Sequence, residues 1–186
     1  MATPDSARTP RPPMRTLATD RLILEPLVAA HADAMFAVLS DPAIYAYENA
    51  PPRSANWLRE RYARLESRQS GDGTEQWLNW VVRLRDGALI GYVQATVPAS
   101  GRAMIAYEFG SAWWGQGYAR EATQAMIDEL VAHHDARGLA AVLKCANFRS
   151  LRLLERLGFA QASPEAHALA NVDPDECLMQ RDVAAA

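Results

Sequence analysis

Apolar and polar positions along the chain switch between a strand period and a helix period. Arg21-Leu22-Ile23-Leu24-Glu25 is a short apolar run closed by Pro26, the composition of a first strand. Residues 28–39 carry apolar side chains at helical spacing and stop at Asp41-Pro42. A second helix is predicted from Ser54, a suitable cap, to about Gln69, ahead of Gly71-Asp72-Gly73. Strand-like runs at 77–85 and 88–97 flank Asp86-Gly87, the dipeptide of a primed turn, and a fourth strand, Arg102–Phe109, follows Pro98 and Gly101. Beyond it the period lengthens. Ala122, Met126, Ile127, Leu130 and Val131 form the stripe of a long helix whose stop signal is Arg137-Gly138. A buried strand at 140–144, a helix from Asn147 to Gly158 and a last strand at 176–183 complete the series. Strands, then helix, strand, helix, strand predict an α/β domain with a sheet of mixed direction and no internal repeat. Residues 1–16, with four prolines and three arginines, read as a disordered leader, which leaves 17–186 as the single domain.

The fourth strand leads into the long helix through Trp114-Gly115-Gln116-Gly117-Tyr118-Ala119-Arg120-Glu121-Ala122. The first amides of a helix have no internal acceptor, and the aligned peptide dipoles place partial positive charge there, so a glycine turn at this point suits a phosphate. Residue identities then discriminate among phosphate carriers. Gly110 and Gly115 have P-loop spacing, but Gln116-Gly117 stands where a lysine and a hydroxyl are needed. The third glycine of a dinucleotide fingerprint is replaced by Arg120, too bulky for close helix packing.

The remaining pattern, Trp114-x-x-Gly117-x-Ala119, resembles the acyl-coenzyme A loop of the GNAT N-acetyltransferases, with tryptophan where that family usually has Gln or Arg. Trp-Gly-x-Gly-Tyr-Ala followed by Glu-Ala is similar to the branch that includes the ribosomal-protein N-terminal (Rim-type) acetyltransferases. A second stretch resembles the family's other signature: Asn147-Phe148-Arg149-Ser150-Leu151-Arg152-Leu153-Leu154-Glu155-Arg156-Leu157-Gly158-Phe159. By its own chemistry Asn147 is also a helix cap, Gly158 a helix stop, and Leu151, Leu154 and Leu157 are core residues at helical spacing.

The resemblance implies a mixed, mostly antiparallel sheet of about seven strands with helices on both faces, splayed between the fourth and fifth strands. It implies acetyl-CoA as co-substrate, with pantetheine pairing along the fourth strand. Coenzyme contacts are then expected from Phe109, Trp114, Gly115, Gln116, Gly117, Tyr118, Ala119, Arg120, Asn147 and Ser150; Arg120 reads equally as a solvent-facing helix residue. The implied reaction is direct acetyl transfer to a primary amine. A lysine-type amine, with a pKa near about 10.4, needs a base more than an α-amine near about 7.7–8.0 does.

Many family members carry a tyrosine general acid at the position of Leu154, and leucine donates no proton. In the Rim-type branch a serine at the place of Ser150 is credited with protonating the thiolate. Ser150 is therefore the candidate acid, its other reading being a hydrogen bond to its own helix. Glu108, on the fourth strand, is the candidate base, its other reading a salt bridge. His167 and Glu165 follow the second motif, where the branch can place another carboxylate near the amine. Tyr45, Tyr47 and Glu48 fall where the family's acceptor pocket lies, the aromatics reading equally as packing. The acceptor stays open between a protein N-terminus and a small antibiotic- or polyamine-type amine. The missing tyrosine keeps a catalytically silent acyl-CoA-binding module as the alternative.

Composition adds bounds. The chain of 186 residues, 49% hydrophobic and 22% charged, suffices for one core. A net charge of −3 gives no basic surface for nucleic acid or membranes, and no apolar run approaches a membrane span. Cys145 and Cys177 form no disulfide framework or metal pattern, so a reducing cytoplasm is the expected compartment, with no metal. A homodimer is compatible with the reading.

Overall fold

The computed structural model describes residues 12–47 and 49–183. In chain order the elements are β1 (Leu17–Ala18), β2 (Leu22–Pro26), α1 (Ala32–Leu39), α2 (Ala55–Leu65), β3 (Glu75–Leu84), β4 (Leu89–Pro98), β5 (Arg102–Phe109), α3 (Tyr118–His133), β6 (Gly138–Lys144), α4 (Phe148–Arg156), β7 (Ala160–Gln161), α5 (Pro164–Leu169) and β8 (Glu176–Asp182). One sheet holds all eight strands in the order β1-β2-β3-β4-β5-β6-β8-β7. Every neighbouring pair is antiparallel except β5 and β6, which α3 joins as a parallel crossover. This is the mixed, mostly antiparallel α/β architecture expected. The predicted fourth and fifth strands are β5 and β6, because the two-residue β1 precedes them.

The sheet carries a core on each face. Leu22, Leu24, Leu78, Trp80, Val82, Val93 and Ile105 pack with Ala122, Met126, Ile127 and Leu130 of α3 and Leu154 of α4. Val81 and Leu89 face the other way, onto Met35 and Leu39 of α1 and Leu58 and Tyr62 of α2. Pairing shifts between Val82 and Arg83, which face Gly91 and Leu89, leaving Ile90 as the extra residue of a bulge on β4.

Several boundaries differ from expectation. The first turn of the predicted first helix is a separate 3-10 turn, Ala29–His31. The second helix stops at Leu65, because Arg68 turns left-handed (φ 58°) and directs Gln69 into a bridge with Gln76. Helix α3 ends at His133, before Asp135 at φ 54°. Val131 is exposed, and Thr123 and Glu129 occupy buried places on that helix instead. Helix α5, capped by Ser163, and the short β7 had no periodic signal.

Met14 to Thr16, read as the end of the leader, are engaged by the fold: Met14 packs on the core, the Trp80 indole donates to the Arg15 carbonyl at 2.8 Å, and Arg15 pairs with buried Glu129. The cysteines also depart from expectation. Cys145 and Cys177 form a disulfide with Cα atoms 5.2 Å apart. The antiparallel register of β6 on β8 pairs Lys144 with Glu176 and so brings Cys145 within reach of Cys177, a juxtaposition that a separation of 32 residues conceals. Among the described residues no helix is long and apolar enough to cross a membrane.

Candidate active site

Strands β5 and β6 pair only over Arg102–Met104 with Gly138–Ala140. Beyond these residues they part, so β5 from Ile105 to Phe109 keeps its β4 partner on one edge and offers backbone on the other. The gap opens into a cavity of about 440 Å³, lined by Ile105 to Phe109 from β5 and Ala141, Val142 and Leu143 from β6. Such a volume accommodates a small ligand or one arm of a larger one. The cavity continues to both faces of the sheet. Tyr45, Trp57, Tyr62 and Tyr92 line it on the α1/α2 side, and Asn147, Ser150 and Leu154 on the α4 side.

The glycine turn lies at the end of β5. A side chain at Gly110 would meet the Trp113 ring at 2.7 Å, so the chain can fold tightly into the 3-10 turn Ser111–Trp113. Asp41 accepts from the Ser111 amide at 2.8 Å, and its contacts with Ser111 and Ala43 hold its carboxyl below the usual range. The Trp114 indole donates to the Phe109 carbonyl at 2.7 Å. Gly115 and Gly117 are left-handed at φ 76° and 83°, and no side chain caps α3. The amides of its first turn therefore lack an intrahelical acceptor, the arrangement that suits an anion.

An arginine from the far end of the sheet holds this turn. Arg21 donates through Nη1 to the Gln116 carbonyl at 3.0 Å and through Nε to Glu121 at 2.7 Å, with its guanidinium 4.5 Å from the Tyr118 ring centroid. Glu121 also accepts from Thr19 Oγ1 at 2.6 Å. Across the cavity mouth, Arg149 stacks 3.8 Å over the Trp114 ring. Phe109, Trp114, Ala119, Asn147 and Ser150 line the cavity; Gly115, Gln116, Gly117 and Arg120 are exposed around the start of α3, and Tyr118 is half-buried under Arg21.

Glu108 points to the α1/α2 face, where Tyr45, Tyr62 and Tyr92 surround it. Burial, then the charge of Glu108, pushes all three phenols above their ordinary range. Tyr45 donates to the Leu39 carbonyl at 2.9 Å, whereas the buried Tyr62 hydroxyl has no hydrogen-bond partner among the described residues. Tyr47, 45% exposed, lines the rim. Glu48 lies outside the described residues.

On the α4 face Asn147 caps the helix by accepting from the Ser150 amide at 3.2 Å, and Gly158 turns left-handed at φ 82° beyond its end. Ser150 Oγ lies 2.6 Å from the hydroxyl of Tyr107. Burial pushes the Tyr107 phenol up to about 12, with the Ser150 hydrogen bond acting the other way. Leu154 is fully buried beside them. His167 bonds to the Glu176 carbonyl at 2.8 Å and Glu165 is exposed; neither is among the residues lining the cavity.

Tyr107, Tyr62, Tyr92, Arg21 and Arg149 were not singled out in the sequence. One signal for Tyr107 was present: it shares strand parity with buried Ala103, Ile105 and Phe109, so it belongs opposite to Glu108.

Comparisons with known proteins agree with this geometry. A profile of the acetyltransferase (GNAT) domain matches residues 21–160, more than half of the chain. The chain is 29% identical over 148 residues to an uncharacterized N-acetyltransferase p20 of Bacillus licheniformis, covering 78% of this chain and 83% of that protein. Its fold is similar to RimL, a ribosomal L7/L12 alpha-N-protein acetyltransferase solved in complex with coenzyme A, at TM-score 0.76 and 16% identity over 91% of this chain and 98% of that one. It is also similar to the ribosomal-protein-S5-alanine acetyltransferase of Vibrio fischeri, at TM-score 0.73 and 15% identity over 91% and 97%. The chain belongs to the GNAT family of acetyltransferases.

Proposed function

We propose that the protein transfers the acetyl group of acetyl-CoA directly to a primary amine in a ternary complex, the coenzyme occupying the gap between β5 and β6. One observation carries this reading: a single cavity runs through that gap, with the uncapped start of α3 at its edge and a carboxylate among tyrosines at its far side. The residues present fit the coenzyme. First-turn amides of α3 meet its pyrophosphate, Arg149 and Trp114 flank the entrance, and the open edge of β5 pairs with its pantetheine amides. The bound thioester supplies an activated acetyl group.

Glu108 is the base that takes the amine proton, directly or through a water, and its charge favours entry of a cationic amine on the α1/α2 side. The orphan hydroxyl of Tyr62 is a ready partner for the acceptor, because a buried polar atom gains most when it is finally bonded. Tyr45 and Tyr47 bound the acceptor's path. Ser150 serves the departing sulfur. The acceptor is a protein N-terminus or a small-molecule amine, nucleic acid, membrane and metal being no part of the reading; the Cys145–Cys177 bridge removes the ground on which a reducing cytoplasm was expected.

The buried Leu154 in the usual tyrosine slot favours a second reading, a silent acyl-CoA-binding module. Thiol release from acetyl-CoA with a panel of small amines and N-terminal peptides decides between them. Turnover with any acceptor supports the transferase, coenzyme binding without turnover the silent module, and no coenzyme binding overturns both.

A further inference from the structure

Ser150 is poorly placed to act alone. A serine hydroxyl has one proton and two acceptor lone pairs, and at a helix start its proton is readily spent on a nearby backbone carbonyl. We propose that Tyr107 is a positioning residue for the leaving group: its hydroxyl donates to Ser150 Oγ and so turns the serine's own proton into the cavity, toward the departing sulfur. The inference rests on the acetyl-CoA reading above.

Either hydroxyl can donate in this contact, and the tyrosine-to-serine direction is the one assigned here. Tyr107 Oη has Ser150 Oγ at 2.6 Å and the Ser150 carbonyl only at 3.5 Å. With the tyrosine donating, the short contact is satisfied and the serine proton is free for the cavity that both residues line. Burial reinforces the assignment. A phenol pushed up to about 12 keeps its proton throughout the working range, so Tyr107 is available as a donor to Ser150 Oγ. A hydroxyl whose oxygen already accepts a hydrogen bond is also the better donor.

The arrangement supplies from β5 what Leu154 cannot supply from α4. Transfer forms the amide C–N bond and breaks the thioester C–S bond. The acceptor, once neutral, loses one proton to Glu108, which passes it to solvent, and the sulfur gains one from Ser150, which is reprotonated from solvent; an acceptor that enters as a cation gives its extra proton to solvent, so protons balance. Tyr107 and Glu108 are adjacent in sequence and point to opposite faces, which keeps the two proton paths apart.

Coenzyme A in its free thiol form provides a test that needs no acceptor, because ultraviolet absorbance reports thiolate in the complex. The bound thiol is expected to ionise at lower pH than free coenzyme A. Tyr107→Phe, which keeps the ring and its packing, weakens that stabilisation by about tenfold in the ionisation constant. Ser150→Ala abolishes it, and Tyr107→Phe added to Ser150→Ala changes nothing more. With an acceptor in hand, Tyr107→Phe lowers kcat by about tenfold at unchanged KM for acetyl-CoA. A Tyr107→Phe protein that titrates and turns over like the parent, or losses that add in the double variant, overturns the positioning role while the acetyl-CoA reading stands. Failure of the parent to bind coenzyme A overturns that reading, and the inference with it.

Discussion

Arg21 donates to the carbonyl of Gln116 at 3.0 Å, tying the entrance of β2 to the turn that opens α3. That bond fixes the Gln116 carbonyl and with it the course of the turn. The Arg21 side chain is about half exposed, so the ion pair with Glu121 adds little alone and the value lies in the shape imposed on the loop. Arg21→Ala should raise the coenzyme A Kd roughly three- to tenfold with kcat little changed. Arg21→Lys should not restore binding, since one ammonium cannot reproduce the guanidinium fork. Calorimetric titration with coenzyme A checks both.

Glu108→Gln keeps the size of the side chain and removes the proposed base. The expected loss in kcat is about 10²- to 10⁴-fold at neutral pH, with coenzyme affinity retained. The deficit should shrink as pH rises, because more acceptor arrives already neutral. A rate ratio that stays constant up to the acceptor's own pKa would assign Glu108 to structure.

Gly91 lies against β5, and a methyl group there would sit 2.3 Å from the Glu108 carbonyl and 2.9 Å from the Phe109 Cα. Backbone on both sides cannot yield as a flexible side chain would. Gly91→Ala should therefore cost about 2–3 kcal/mol and lower activity by displacing Glu108. Gly71→Ala, with open space around it and an ordinary φ, is the matched control and should leave the melting temperature unchanged.

The Cys145–Cys177 bridge closes a loop that contains α4 and α5. For a 32-residue separation the lost chain entropy corresponds to about 3–4 kcal/mol. Cys145→Ser, or addition of reductant, should lower stability to denaturant by that order. Thiol titration of the unfolded, unreduced protein should find no free thiol, the chain having two cysteines in all; two reactive thiols would contradict the bridge.

Buried His134 bonds through Nδ1 to Gln76 at 3.1 Å, and its Nε2 lies 3.7 Å from Glu129. Burial pulls its pKa below the ordinary 6.5; Glu129 and Asp135 oppose the shift, while His133 and Arg15 add to it. The unfolded chain therefore takes up this proton at higher pH than the folded one. The stability it contributes is full above about pH 6.5 and drains away as pH falls toward the folded value. His31, also lowered mainly by burial, acts in the same sense. Melting temperature should fall between about pH 7.5 and about pH 5.5, and less steeply in His134→Gln, with His31 supplying the remainder.

The sequence made the frame legible where periodicity and capping agreed. Arg102–Phe109 is β5 to the residue, and Asn147 and Gly158 bound α4 as their chemistry requires. Positive-φ turns at Arg68 and Asp135, residues that carry no glycine signal, cut two helices short. The candidate site was half legible. Its turn and second motif are local, and local patterns can be read. The tyrosines around Glu108 come from the segment after α1, from α2 and from β4, and Arg21 reaches its turn across 95 residues. Such neighbours are set by sheet order and by which face each position takes, neither of which a single chain displays.

The pleat of β5 acts as a partition. Because Tyr107 and Glu108 project to opposite faces, a slip of one residue in the pairing of β5 on β4 would exchange them, sending the carboxylate toward Ser150 and the phenol toward the α1/α2 side. Strand register is thus a chemical variable in this protein. The close approach at Gly91 and the turn that returns the chain from Pro98 to Arg102 guard which side of the sheet each of the two groups faces.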